Sequence, residues 1–264
     1  TFEEIIEVTR IYSIAGLLAE RAAISQRPFR APHHTITDTG LIGGGNFPRP
    51  GEVSLAHRGV LFLDEFPEFS RQALESLRQP LEDGQVTVSR VASTLTFPCC
   101  FMLVAAMNPC AEIFLGSALE TDCTELQRRK YYSRLSKPLL DRIDIQIEVP
   151  AVKYQDIVGR PAGEPSAEIR KRVSSARQRQ LERYRGRKIF ANAQMTSRDI
   201  RQHCHLERSA AELLETAMKK FRFSARAYDR ILKVARTIAD LNGEANLSPA
   251  AVAEAVQYRI LDRF

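Results

Sequence analysis

Apolar positions recur at helical spacing over residues 1–25, where Ile5, Ile6, Ile11, Ile14, Leu17 and Leu18 fall near one face behind Glu3 and Glu4. The pattern predicts an N-terminal amphipathic helix. It breaks in RPFRAPHHTITDTGLIGGGNFPRPGEV, residues 27–53, too rich in Gly and Pro for a regular element. Val60–Leu63 is a short continuous apolar run of the kind that fills a buried parallel strand. Ser70 then serves as N-cap to a helix reaching Leu77. Val86–Val91 and Ser93–Phe97, rich in β-branched residues, predict a hairpin with its tip near Arg90–Ser93. Phe101–Ala106 reads as a second buried strand running into Met107-Asn108-Pro109, and the alternating Asp144–Val149 as a third. Strand, helix and strand with polar residues at the strands' C-terminal ends imply an α/β parallel sheet with a ligand crevice there.

Past Pro150 the pattern changes. GRPAGEP, residues 159–165, reads as a linker, and helical periodicity continues over 166–188, 197–204, 207–220, 224–241 and 248–262. Ser248-Pro249 gives the last of these an N-cap and an N1 proline. The expected organisation is an α/β domain at 1–158, a linker and basic helix at 159–190, and a small all-α domain at 191–264.

Composition narrows the class without naming it. No apolar run nears the roughly 20 residues of a membrane span, so no membrane partner is expected. The five cysteines are odd in number and two of them, Cys99 and Cys100, are adjacent, which argues against a disulfide framework and for a reducing, cytoplasmic setting. Net charge is +6, compatible with an anionic partner. Between Glu168 and Lys188 nine basic side chains face two acidic ones, a surplus of seven that exceeds the whole chain's. That stretch is either a solvated helix face or a contact for nucleic acid, with Arg170, Lys171 and Arg172 as its leading candidates.

The candidate chemistry sits at strand ends. In GVLFLDEF the buried run meets Asp64 and Glu65. There the first acid can hold Mg²⁺ through water and the second can polarise an attacking water; the same pair also suits a strand end whose acids cap the following turn. Asn108, at the matching end of the next strand, can orient a water or a phosphate oxygen, or simply form a turn before proline. Arg142, between Asp141 and Asp144, fits a surface salt bridge or a finger offered to a phosphate in a neighbouring subunit. Arg226 opens a helix of the second domain and could reach the same phosphate.

Taken in order, GVLFLDE, AAMNP, PLLDRID and SARAYDRILKVARTIADL resemble the AAA+ ATPases of the magnesium-chelatase-like group, the ComM/YifB family above all. RPFRAPHHTITDTGLIGGG and PRPGEVSLAHRGVLFLDEFPEF resemble that subfamily as well. The resemblance covers nearly the whole chain. It implies Asp64 and Glu65 as Walker B acids, Asn108 as sensor 1, Arg142 as a trans-acting arginine finger and Arg226 as the sensor 2 arginine of a lid. It also implies a pore-facing hairpin at Val86–Phe97 with Arg90 a candidate DNA contact, ATP and Mg²⁺ as ligands, a homo-hexameric ring, and action on DNA by branch migration during natural transformation.

Two features depart from the family pattern. No G-x-x-x-x-G-K-[ST] loop occurs, so the phosphate-cradling loop is expected upstream of Thr1 and residues 1–264 alone are expected to lack ATPase activity. Only Cys110 and Cys123 stand where the family carries four cysteines, too few for a closed tetrahedral site, and no zinc is expected. The alternatives are a magnesium-chelatase ATPase subunit acting in porphyrin metallation, or a non-catalytic DNA-binding or assembly module.

Overall fold

The computed structural model describes residues 1–18, 21–45, 47–90, 93–108, 124–149, 163–187 and 189–259. The chain forms two compact units, Thr1–Ile143 and Asp144–Phe264. In the first, helix α1 spans Phe2–Ile14 and opens on a capping box between Thr1 and Glu4. It ends well short of residue 25: Gly16 adopts φ 74°, a left-handed turn that stops the helix and that glycine enters without strain.

Strand β1 is only Phe29–Arg30, followed by α2 (Asp38–Ile42), the antiparallel pair β2 (Gly43–Gly44) and β3 (Arg49–Pro50), and α3 (Glu52–Leu55). Strand β4, Val60–Leu63, lies between β1 and β7 (Met102–Ala105) in a parallel three-stranded sheet of order β1-β4-β7. The entry into β4 depends on glycine, since a Cβ on Gly59 would lie 1.9 Å from the Pro28 carbonyl oxygen. Between β4 and β7 come α4 (Arg71–Ser76), α5 (Arg78–Asp83) and the hairpin β5 (Gln85–Arg90)–β6 (Ser93–Pro98). Ser70 caps α4 as expected, accepting from the Ala73 N–H at 3.1 Å. The unit continues through α6 (Glu125–Tyr132) and α7 (Lys137–Leu140).

Leu61, Leu63, Phe66, Leu74, Val86 and Phe97 anchor this unit's core. Burial is less even than the apolar runs suggested. In β4 only Leu61 and Leu63 are fully buried, and in β7 Met102 is 60 % and Val104 37 % exposed while Leu103 packs on the core, so the strand shows one face to solvent among the described residues.

The second unit is helical: α8 (Ser166–Arg183), α9 (Ser197–His203), α10 (Arg208–Phe221), α11 (Ala225–Asn242) and α12 (Pro249–Gln257). Ser224 and Ser248 cap α11 and α12 through the Ala227 and Ala251 amides. Leu214, Ile231, Leu232, Ala235, Leu247 and Val252 form the core. The third strand expected at Asp144–Val149 does not form. Gln146 makes a single bridge, donating its N–H to the Tyr258 carbonyl at 2.8 Å, while Ile145, Ile147 and Val149 stay exposed. Alternation without a pairing partner makes no sheet.

Inside this unit is a buried polar network. The Asp240 carboxylate accepts from Arg183 at 2.7 Å, from the Asn192 amide at 2.8 Å and from Arg236 at 3.2 Å. Arg236, 2 % exposed, also donates to the carbonyls of Ala245 and Glu244, each at 2.6 Å. Every described helix is too short or too polar to cross a membrane.

Candidate functional site

Sheet register builds the site. Leu63 of β4 faces Ala105 of β7, so the residues that follow each strand, Asp64-Glu65 and Ala106-Met107-Asn108, leave the sheet side by side at its C-terminal edge. The Ala106 N–H donates to the Leu63 carbonyl and the Phe66 N–H to the Ala106 carbonyl, both at 2.9 Å, which extends the pairing past the acids. Phe66 and Phe69, nearly fully buried, pin the chain beyond them.

Both acids are exposed. Asp64 Oδ1 accepts the Glu65 N–H at 2.9 Å, so the turn-capping role of an acid at a strand end is met by Asp64. Glu65 has φ 50° and ψ 44°, a left-handed conformation that costs a non-glycine residue on the order of 1–3 kcal/mol. Its carboxylate reaches His34, with Nδ1 2.8 Å from Oε2. Asn108 is held through its main chain: the Tyr131 hydroxyl of α6 donates to the Asn108 carbonyl at 2.7 Å. Arg134 pairs with Glu68 in the turn after the acids.

The structure brings Asp64, Glu65 and Asn108 to one sheet edge. Arg142 follows α7, its guanidinium largely buried, pairing with Glu82 of α5 and donating to the Pro138 carbonyl at 2.6 Å. It lines a surface cleft of about 480 Å³ with Glu75, Arg78, Asp83 and Thr87. Arg226 is exposed in the first turn of α11, in the helical unit. Arg90 ends β5 at the hairpin tip, and Cys110 and Cys123 lie outside the described residues.

The basic helix α8 divides into two halves. Arg170, Lys171 and Arg172 are exposed; Lys171 pairs with Glu168 at 2.8 Å and Arg172 grips Glu164 at 2.8 and 3.0 Å. Further along, Arg177 and Arg179 donate to the carbonyls of Phe190 and Asp240, Arg183 pairs with Asp240, and Arg187, just past the helix, pairs with Asp199. The positive surplus of the sequence is therefore partly consumed inside the unit.

Two family models cover the chain. The model described as magnesium chelatase, subunit ChlI, matches residues 1–157, and that for the ChlI C-terminal region matches residues 163–259. The chain belongs to the magnesium chelatase ChlI family. Curated relatives include the uncharacterized protein YifB of Escherichia coli, 43 % identical over 99 % of this chain and 51 % of the relative. Competence protein ComM of Haemophilus influenzae is 47 % identical over 90 % of this chain and 46 % of its own length. Uncharacterized protein Rv2897c of Mycobacterium tuberculosis is 38 % identical over 97 % and 51 %. The chain spans about half the length of the curated relatives it matches.

Sequence reasoning about this ChlI-family chain passed over His34, Tyr131 and Glu82, the partners of Glu65, Asn108 and Arg142. His34 stands in plain view in APHHT, but only the parallel pairing of β1 with β4 brings it to the acid. Nothing in local sequence signals a contact across 31 positions.

Proposed function

We propose that, within the longer protein, this chain supplies the water-activating part of an ATP hydrolysis site in a ring-forming AAA+ motor. The observation that carries the reading is the register Leu63↔Ala105, which puts an acid pair and an amide at the C-terminal edge of neighbouring parallel strands. Glu65 would accept a proton from the water attacking the γ-phosphorus as the bond to the β–γ bridging oxygen breaks, and the Asn108 amide would orient that water. Arg142, on leaving its pairing with Glu82, would reach a phosphate held by a neighbouring protomer, and Arg226 would add positive charge toward the phosphoryl oxygens. The phosphate-cradling loop would come from outside these 264 residues, so this chain alone is expected to be inactive.

The donors suit Mg²⁺. Asp64 offers an exposed carboxylate, and a hard cation that keeps most of its waters needs only one or two such oxygens beside the substrate phosphates. When bound, Mg²⁺ would neutralise charge on the phosphates.

DNA is the proposed object of the motor. Its support is the relative named a competence protein together with the exposed cations Arg170, Lys171 and Arg172 of α8 and the place of Arg90 at the end of β5. A homo-hexamer is the proposed assembly, since a finger acting on a neighbour requires a ring. The deciding measurement is phosphate release from ATP by the full-length protein. Glu65→Gln is expected to lower it at least about 100-fold, and an unchanged rate would leave the chain a non-catalytic binding or assembly module.

A further inference from the structure

Glu65 is held by a side chain from the neighbouring strand's loop, and the arrangement looks built. Arg30 pairs in register with Leu61; His34 lies four residues past the first and Glu65 four past the second, so the two leave the sheet as matched neighbours. The contact joins His34 Nδ1 to Glu65 Oε2 at 2.8 Å. An ionised carboxylate only accepts, so Nδ1 carries the proton. The imidazole is itself braced. Its ring lies 4.1 Å from that of His33 and meets Phe69 edge-on at 6.4 Å, and Phe69 is a core residue. His33 is tied in turn to Thr35, with Nδ1 3.0 Å from Oγ1. The donor is also the less exposed partner, 28 % against 53 %. An anchored ring thus holds a solvated carboxylate whose backbone already sits in a strained left-handed turn, and strain of this kind collects where a side chain must be aimed.

We propose that His34 is the positioning residue for Glu65. The Nδ1–H bond fixes one carboxylate oxygen and with it the rotamer, leaving Oε1 to take the proton from water. This rests on Glu65 being the base, as proposed above. A long acid with free χ angles spends most of its time misdirected, and a displacement of about 1 Å at a reacting group costs up to about 100-fold in rate.

The test is steady-state ATP hydrolysis by the full-length protein with His34→Ala, His34→Asn, Glu65→Gln and the double variant His34→Ala/Glu65→Gln. Expected is a roughly 10- to 100-fold fall in kcat for His34→Ala with KM for ATP within about threefold. His34→Asn, whose amide N–H can take the place of Nδ1–H, recovers most of the rate. The double variant falls no further than Glu65→Gln, because residues acting as a unit are non-additive. A His34→Ala enzyme as fast as or faster than wild type overturns the proposal, as does a loss that adds to that of Glu65→Gln. If His34→Ala fails to fold, His34→Asn decides: a folded variant with an undiminished KM but no recovered kcat counts against positioning. A fully active Glu65→Gln, by contrast, removes the reading of Glu65 itself.

Discussion

The two units treat their carboxylates in opposite ways. In the helical unit Asp199 and Asp240 are each 1 % exposed and locked to arginines, Asp199 to Arg187 and Asp240 to Arg183 and Arg236. In the α/β unit Asp64 and Glu65 are exposed, and among the described residues the ionic partner of Glu65 is a histidine. A buried acid with several donors is committed to holding the fold, because removing a partner strands charge away from water. An exposed acid at a sheet edge contributes little to stability and keeps lone pairs for a ligand. Burial and partnership thus separate acids committed to the fold from acids left open to a ligand when residue type does not.

That contrast breaks most visibly at Asp240. Asp240→Ala leaves Arg183, Arg236 and Asn192 without their shared acceptor, and a loss of about 3–5 kcal/mol is expected in urea unfolding of the protein. A loss below about 1 kcal/mol would mean the network relaxes around water. Glu65→Gln should do the reverse, with stability within about 0.5 kcal/mol of wild type and hydrolysis down about 10²- to 10⁴-fold. Paired unfolding and phosphate-release assays on both variants check the division directly.

Acid should separate the units too. Burial works against ionised Asp240, but hydrogen bonds from Arg183 and Asn192 outweigh it, and Arg187 holds Asp199 low, so both carboxyls titrate below their ordinary 3.8. Their stabilisation is complete above about pH 3.8 and is lost as pH falls through the lower folded values. His57, nearly fully buried, moves the other way. Burial pushes its pKa below 6.5 despite the Glu7 bond at 3.1 Å, and its Nδ1 accepts the Cys100 N–H at 3.0 Å, so Nε2 carries the proton. The unfolded chain binds a proton at His57 before the folded chain does, and stability falls as pH drops below about 6.5. His203 of α9 is lowered as well, by burial first and then by Arg183, but it is only partly buried, so hydrogen exchange between pH 7 and 5 should show amides of β4 and β7 losing more protection than those of α11. Equal loss in both units would contradict the assignment.

The smallest effect is expected at the surface of α8. Arg170→Ala/Lys171→Ala/Arg172→Ala should weaken DNA binding by the full-length protein and lower the slope of log affinity against log salt by at most about 3. Lys171 and Arg172 already have acidic neighbours, so Arg170 should account for the larger share. An unchanged slope would make this half of the helix a solvated face.

The helical unit was the more legible in sequence. Each periodic run contains a helix, and those at 197–204, 207–220 and 224–241 end within one residue of the expected position, because caps and an apolar stripe are local signals; α8 stops at Arg183 and α12 at Gln257, each five residues before the expected end. The α/β unit yielded β4, β7, the hairpin and the Ser70 cap for the same reason. It concealed β1, two residues long and defined only by pairing, and α5, where Pro80 reads as a breaker although its first-turn place needs no N–H donor. Asp64, Glu65 and Asn108 were visible from their strand ends. Their supports His34 and Tyr131 were not, since tertiary pairing alone brings them close.

The hairpin β5–β6 has two unlike faces. Val86, Val88 and Phe97 enter the core, while Thr87–Thr96 and Ser89–Thr94 form a ladder of hydroxyl contacts at 3.0 and 3.1 Å along the other side. Six pairs in register, from Gln85↔Pro98 to Arg90↔Ser93, carry the chain roughly 17–20 Å. Such a ribbon behaves as a ruler graduated in steps of two residues. Lengthening both strands by a pair would carry the tip outward by about 7 Å with its faces preserved; changing either strand by one would turn hydroxyls inward and valines out. The reach of Arg90 is thus an adjustable dimension of the molecule, but only in whole pleats.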